Sequence, residues 1–335
     1  MTSVLVTGGA GFIGSNFLRL LRGARPAWRI VNLDLLTYAG NLGNLEGVEQ
    51  EFVRGDVAEA ADVHRAFDAA GEGALVVHFA AESHVDRSIR SSLPFLRTNV
   101  VGTQVLVDVA RERRARRLLH VSTDEVYGSL PAGVFADETH RLNPSNPYAA
   151  SKAASDHLVL AAVRTHGLDA VVTRCSNNYG PYQFPEKVVP LMIANAREGR
   201  ALPLYGDGLH ERDWIHVDDH GDALLAVLER GRGGEIYNIA GRSHRSNLDL
   251  ARFLLAALGR PESLIAHVTD RPGHDRRYAP DGGKIERELG WRPKRRFERA
   301  MPEVVAWYDG NGAWLDRVRS GAYRRYYAEQ YGAGA

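Results

Sequence analysis

A chain of 335 residues carries 42 Lys and Arg against 41 Asp and Glu, a formal net charge of +1; no overall field favours nucleic acid, and the length gives room for one large domain or two. With 44% apolar and 25% charged residues it has the make-up of an ordinary soluble globular protein. A single cysteine, Cys175, excludes an intrachain disulfide and fits a reducing, cytoplasmic setting, while no secretory leader and no membrane-length apolar run is expected.

The first elements read as strand, glycine turn and helix. Residues 3–7 are a short β-rich run, Gly8, Gly11 and Gly14 follow, and the residues from Asn16 onward have helical character. That context makes Gly-x-x-Gly-x-x-Gly credible as a dinucleotide fingerprint. Gly8 would permit the tight turn, Gly11 would let backbone N–H groups approach a diphosphate, and Gly14 would let the helix pack close. The next strand, 28–34, ends in Asp34, about 20 residues on, the spacing of a ribose-binding carboxylate. Leu35, Leu36 and Thr37 follow it, with no Arg to receive a 2′-phosphate, so NAD is expected over NADP.

A third strand over 52–57 reaches Asp56, placed either to touch an adenine or to cap the helix expected over 60–70. Residues 75–79 are a continuous apolar run, typical of a strand covered on both faces, and Ala80 and Ala81 are small enough for backbone to lie against a cofactor. A helix over 94–114 ends in an arginine-rich run, best read as solvated charge favoured by the helix dipole. The apolar run Leu118, Leu119, Val121 then ends in Thr123-Asp124-Glu125. Ligands bind at the carboxyl ends of strands in open α/β sheets, and two adjacent acids can serve as acid and base. Taken alone, a turn or helix cap is the better account of them.

The residues that follow change that balance. After a loop over 129–145, Asn146 as N-cap and Pro147 at the first position start a helix that puts Tyr148 and Lys152 one turn apart on one face. An ammonium beside a phenol favours the phenolate, giving a usable base. A strand over 168–174 leads to Asn177 and Asn178. Beyond 175–180 the alternation weakens into helices over 185–198, 217–230, 247–258 and 296–308 and short strands over 202–204, 213–215 and 235–239. The expected fold is α/β: a Rossmann doubly wound parallel sheet over 1–177 that binds NAD, and a smaller C-terminal α/β substrate lobe over 178–335, with later segments crossing back. His216 and His220 lack the Glu of a hydrolytic zinc helix, and no Gly-x-Ser-x-Gly elbow occurs, so neither a metal nor a Ser-His-Asp hydrolase is expected.

The glycine fingerprint, Asp34 and Tyr148-x-x-x-Lys152 together resemble the extended short-chain dehydrogenase/reductase superfamily. The runs 38–42, 78–88, 122–128, 146–152, 175–187 and 270–278 resemble, within it, the dTDP-glucose 4,6-dehydratases, Thr123-Asp124-Glu125 ahead of the Tyr-Lys pair being the specific part. The resemblance implies bound NAD, a dTDP-glucose substrate, no nucleic-acid or membrane partner, and a homodimer formed through the helices near 94–114 and 148–166. It implies that Phe12, Ile13, Thr37, Val57, Ser83, Asn99 and Asn178 join Gly8, Gly11, Gly14, Asp34, Asp56, Ala80, Ala81, Tyr148 and Lys152 around the cofactor. For the substrate it implies Ser83 and Asn177 near sugar and diphosphate, Lys187, Pro203 and Tyr205 framing base and ribose, and Arg212, Asn247, Arg271 and His274 closing on the diphosphate side. Tyr148 would take the O4 proton while C4 gives hydride to NAD, with Thr123 hydrogen-bonded near O4. Glu125 would take the C5 proton and a protonated Asp124 would give one to the leaving C6 hydroxyl. The other readings are a UDP-sugar 4-epimerase, a UDP-glucuronate decarboxylase, a GDP-mannose 4,6-dehydratase, or a non-catalytic NAD-binding protein. An epimerase needs no acid pair after Thr123.

Overall fold

Val4, Leu5 and Val6 are wholly buried in β1 (Ser3–Thr7), as a central strand covered on both faces requires. The computed structural model describes residues 2–319. Around β1 lie β2 (Arg29–Asp34), β3 (Glu51–Arg54), β4 (Leu75–His78), β5 (Arg117–Thr123) and β6 (Ala170–Cys175). β7 (Asn177–Tyr179), β8 (Leu202–Tyr205), β9 (Glu211–His216), β10 (Ile236–Ile239), β11 (His244–Ser246) and β12 (Ile265–Val268) follow. A seven-stranded sheet runs β10-β6-β5-β4-β1-β2-β3, every pairing parallel. The strand order reverses beside β1, where a doubly wound sheet places its ligand crevice.

Helices cover both faces of this sheet. On one, Phe12–Ala24 and Val217–Arg230 bring Phe17, Leu21, Leu224 and Leu228 against Val4, Val77, Leu119 and Val171. On the other, Ala60–Ala70, Gly102–Glu112 and Pro147–His166 bring Phe67, Leu106 and Val159 against Leu5, Val31, Val76 and Leu118. The segment 217–239 therefore returns to the first sheet, and β10 pairs with β6 in parallel register from Ile236 opposite Val172.

The second core lies elsewhere. Met192 and Ile193 of helix Val188–Arg197, Leu254 of helix Asn247–Ala257, and Met301 and Tyr308 of helix Phe297–Gly310 pack with Leu204 and Trp214. Its strands form a three-stranded sheet β11-β9-β7 and a parallel pair β12-β8. The helix expected over 94–114 is a helical run from Leu93 to Glu112 interrupted by a π segment at Leu96–Val101. Among the described residues, no helix is long and apolar enough to cross a membrane.

Candidate active site

The chain leaves β1 through Gly8, whose φ of 74° is left-handed. A Cβ there would stand 2.6 Å from the Ala80 backbone nitrogen, and one at Gly14 would stand 2.4 Å from the Gly8 carbonyl oxygen. Both glycines thus serve close backbone contact. A Cβ at Gly11 would come no nearer than 3.4 Å to anything; this residue precedes helix Phe12–Ala24 without a side-chain cap. The uncapped first turn, with Phe12 and Ile13, lines a long cavity, and free N–H groups at a helix N-terminus suit a diphosphate.

At the end of β2 the Asp34 carboxylate accepts from the Ala10 and Leu36 amides, both at 2.8 Å. Burial raises its pKa, and the two amides fix its orientation toward the cavity. Asp56 also lines the cavity, while its Oδ1 accepts from the Ala58 amide at 2.8 Å and Arg97 reaches its Oδ2 at 3.0 Å. The helix after it starts from Glu59, not Asp56. Thr37, Val57, Ala80, Ala81, Ser83 and Asn178 line the same cavity. Bare glycine backbone, a free helix start and a buried carboxylate fit a dinucleotide.

Asn99 is engaged with the protein itself. Its side-chain amide holds both backbone groups of Glu82, each at 2.9 Å, and reaches Ser151 Oγ at 2.8 Å. Thr98 lines the cavity instead. Neighbours on a helical segment point roughly 100° apart, so a one-residue difference moves a side chain to another face.

β5 delivers Thr123 to the cavity floor and runs into a 3-10 turn, Asp124–Tyr127. The Thr123 hydroxyl accepts from the Glu125 amide at 3.2 Å and donates toward Asp124 Oδ1 at 3.4 Å. The capping role foreseen for this stretch is real, and it aims both acids at the cavity they line. Asp124 is buried, and its Oδ2 has no hydrogen-bond partner among the described residues. Burial, then the charges of Glu125 and Asp213, push its pKa well up. Burial also raises Glu125, but Arg271, Arg212 and Lys187 pull the other way. Of the two, Asp124 is the better home for a proton. The Tyr278 hydroxyl lies 3.4 Å from Glu125 Oε2 and spends its hydrogen on Asp275 at 2.7 Å.

Asn146 caps helix Pro147–His166 by accepting from the Ala149 amide at 2.9 Å. Two residues beyond that cap, Tyr148 is buried and lines the first cavity together with Thr123. Burial, reinforced by Glu125, pushes the phenol well above its ordinary pKa. Lys152 does not counter this in the protein alone, contrary to the expectation from spacing. Its ammonium donates to the Val121 carbonyl at 2.9 Å, 3.5 Å from His120 Nε2, and burial brings its pKa down to about 8. Helical spacing gives a shared face, not a contact.

A second cavity meets the first at Ser83, Glu125, Asn177, Glu186 and Lys187, which line both. Pro203, Tyr205, Arg212, Asn247, Arg271 and His274 line it. Arg271 reaches Asp86 Oδ1 at 2.6 Å and Tyr205 donates to Asp86 Oδ2 at 3.0 Å. Arg212 lies over the Tyr278 ring at 4.2 Å, and Lys187 donates to the Ser83 carbonyl at 2.6 Å. His274 stacks on His210 at 3.7 Å and shares a 2.7 Å hydrogen bond with Asp270. Three cations beside an apolar wall of Leu191, Met192 and Trp214 suit a ligand with a phosphate part and a flat, less polar part. Asn177 Oδ1, at the junction, is buried without a partner among the described residues, and Asn178 is fixed by His220 at 2.9 Å and the Ser176 carbonyl at 3.0 Å.

Asp86, Glu186, Thr98 and Trp214 were not singled out from the sequence. Asp86 and Glu186 fall inside runs that carry the family resemblance, and no spacing rule marks them.

A family model described as GDP-mannose 4,6 dehydratase matches residues 5–304. A dTDP-glucose 4,6-dehydratase of Xanthomonas campestris is 50% identical over 346 residues, covering 97% of this chain and 98% of the relative. One from Streptomyces niveus is 50% identical over 328 residues, covering 95% and 96%. Among solved structures, DesIV, a dTDP-glucose 4,6-dehydratase of Streptomyces venezuelae with NAD bound, is 50% identical; the match covers 95% of this chain and all of that one, at a TM-score of 0.91. A UDP-glucose 4-epimerase of Thermus thermophilus in complex with NAD is 31% identical, covering 92% of this chain and all of that one, at 0.86.

Proposed function

We propose roles for these residues from one premise: the chain belongs to the GDP-mannose 4,6 dehydratase family and, within it, to the dTDP-glucose 4,6-dehydratases. It converts dTDP-glucose to dTDP-4-keto-6-deoxyglucose and water. The observation that carries the assignment of roles is the acid pair, Asp124 buried and Glu125 at the junction of the two cavities, next to Tyr148. An oxidation followed by reduction at the same carbon has no use for a second acid and base; loss of water does.

Gly8, Gly11, Gly14 and Asp34 would hold NAD in the first cavity, where it would supply hydride acceptance at C4 and hydride return at C6. Tyr148 takes the O4 proton, with Thr123 holding O4 and the Lys152 ammonium, held at the Val121 carbonyl, lending positive charge to the same cavity. The ketone at C4 acidifies C5–H, which Glu125 removes; the cations beside it oppose the upward push that burial gives its pKa. Asp124, the acid that burial keeps protonated, gives its proton to the departing C6 hydroxyl. Glu125 then returns a proton to C5. In the second cavity Arg212, Asn247, Arg271 and His274 face the diphosphate and deoxyribose, with Lys187, Pro203 and Tyr205 toward base and ribose. We keep 178–335 as the substrate lobe, apart from the segments that return to the first sheet.

Conversion of dTDP-glucose in deuterated water is expected to give a 4-keto-6-deoxy product labelled at C5, read by NMR, and to outpace UDP- and GDP-glucose. An epimerised product that keeps its C6 hydroxyl, or no conversion, would sink this reading.

A homodimer in the cytoplasm completes the proposal. Leu93 is 74% exposed, and Leu96 and Val101 are exposed on the same helical run, an apolar surface suited to a partner helix. Sedimentation is expected to give a dimer for the native chain and a monomer for Leu93→Arg with Leu96→Arg; a monomeric native chain would refute it.

A further inference from the structure

Two of the segments that line the first cavity lie far apart in sequence. One is the loop after β2, where Thr37, Ala39 and Gly40 line it; the other is the stretch after β7, where Gln183, Phe184, Glu186 and Lys187 line it. Tyr38 joins them. Its hydroxyl donates to Glu186 Oε1 at 2.9 Å, and its ring meets Phe184 edge-on at 5.6 Å. From helix Val85–Arg90, Arg87 donates to Glu186 Oε2 at 3.2 Å and lays its guanidinium 4.0 Å from the centre of the Tyr38 ring. Each of the three side chains thus touches the other two. The Glu186 side chain is only 1% exposed.

None of these groups reaches the acid pair or the phenol, so the reaction does not explain them. Their placement answers a different need. The reaction returns its cofactor to the starting state in every turnover, so a protein that lets NAD escape between turnovers gains nothing by it. We propose that Tyr38, Glu186 and Arg87 form a latch that joins the two walls of the dinucleotide cavity and slows NAD release. The inference rests on the NAD reading of that cavity. Parting the walls requires Glu186, a carboxylate with almost no access to water, to give up a phenol donor and a guanidinium donor together. The loss of either hydrogen bond is felt most while the walls are closed. The ring–guanidinium contact adds to the same closed state.

The test uses the NAD-loaded enzyme and reads the cofactor, not turnover. Protein carrying radiolabelled NAD is mixed with excess unlabelled NAD, and retained label is followed over time by rapid desalting. Tyr38→Phe keeps the ring and removes one hydrogen bond to a charged acceptor; roughly tenfold faster release is expected. Glu186→Gln, which keeps the shape and removes the charge that holds Arg87, is expected to release faster still. Circular dichroism and melting of Tyr38→Phe identify a folded protein. Release by folded Tyr38→Phe at the native rate would overturn the latch. A native chain that never retains labelled NAD would instead overturn the cofactor reading beneath it, and the two failures are distinct.

Discussion

Asp124→Asn and Glu125→Gln are expected to oxidise dTDP-glucose at C4 and then stall, each losing about 10²–10⁴-fold in complete turnover, the usual contribution of a positioned acid or base. Both substitutions keep size and cavity shape, so substrate and cofactor should still bind. The stall should be visible as near-ultraviolet absorbance of reduced cofactor that builds up after mixing, where the native enzyme shows little. The two variants should also differ from each other. Without Glu125 the C5 hydrogen has no base, so recovered sugar should carry no deuterium at C5. Without Asp124, C5 can still exchange through Glu125 while the C6 hydroxyl stays, so C5 label should appear in sugar that has kept its oxygen. Full turnover by the double variant would remove the acid pair from the chemistry.

That contrast depends on which acid holds the proton, and the sequence could not say. Adjacent carboxylates at a strand end announce only that two charges are costly there. The distinction comes from tertiary surroundings: Asp213 acts on Asp124, Arg271 and Lys187 act on Glu125, and Arg212 acts on both. Those residues come from β9, the loop around 270 and the stretch after β7, none of them near 124 in sequence. The same divide runs through the rest of the site. Gly8, Gly14 and Asp34 were legible because their jobs are local: a left-handed turn, a close helix approach, a strand end. The Asn146 cap with Pro147 was legible for the same reason. No capping or periodicity signal marks the π segment Leu96–Val101, so the facing of Thr98 and Asn99 was not legible. The Lys152 orientation was missed because the competing acceptor, the Val121 carbonyl, belongs to a neighbouring strand. β10 is too short to declare its sheet; the apolar face of the helix before it, packed beside Phe17 and Leu119, carries it back to β6.

Tyr148→Phe is expected to fail one step earlier, with a loss of about 10²–10⁴-fold and no build-up of reduced cofactor on mixing with dTDP-glucose. The proton inventory explains why this residue cannot be replaced by either acid. Glu125 takes a proton from C5 and later gives one back, so it ends as it began. Tyr148 gains the O4 proton, and because the product keeps its ketone that proton never returns to O4. Asp124 gives its proton away in water and ends one short. Each cycle therefore leaves a surplus on Tyr148 and a deficit on Asp124, and the next cannot start until they cancel. The Thr123 hydroxyl lines the same cavity as the phenol and donates toward Asp124 Oδ1. A hydroxyl so placed can accept from one neighbour while giving to the other. Phe at 148 removes both the first acceptor of the cycle and the source of its reset. If Tyr148→Phe still reduced the cofactor as Asp124→Asn does, the base would have to be sought elsewhere, and the order of steps assigned to Tyr148, Glu125 and Asp124 would fall with it.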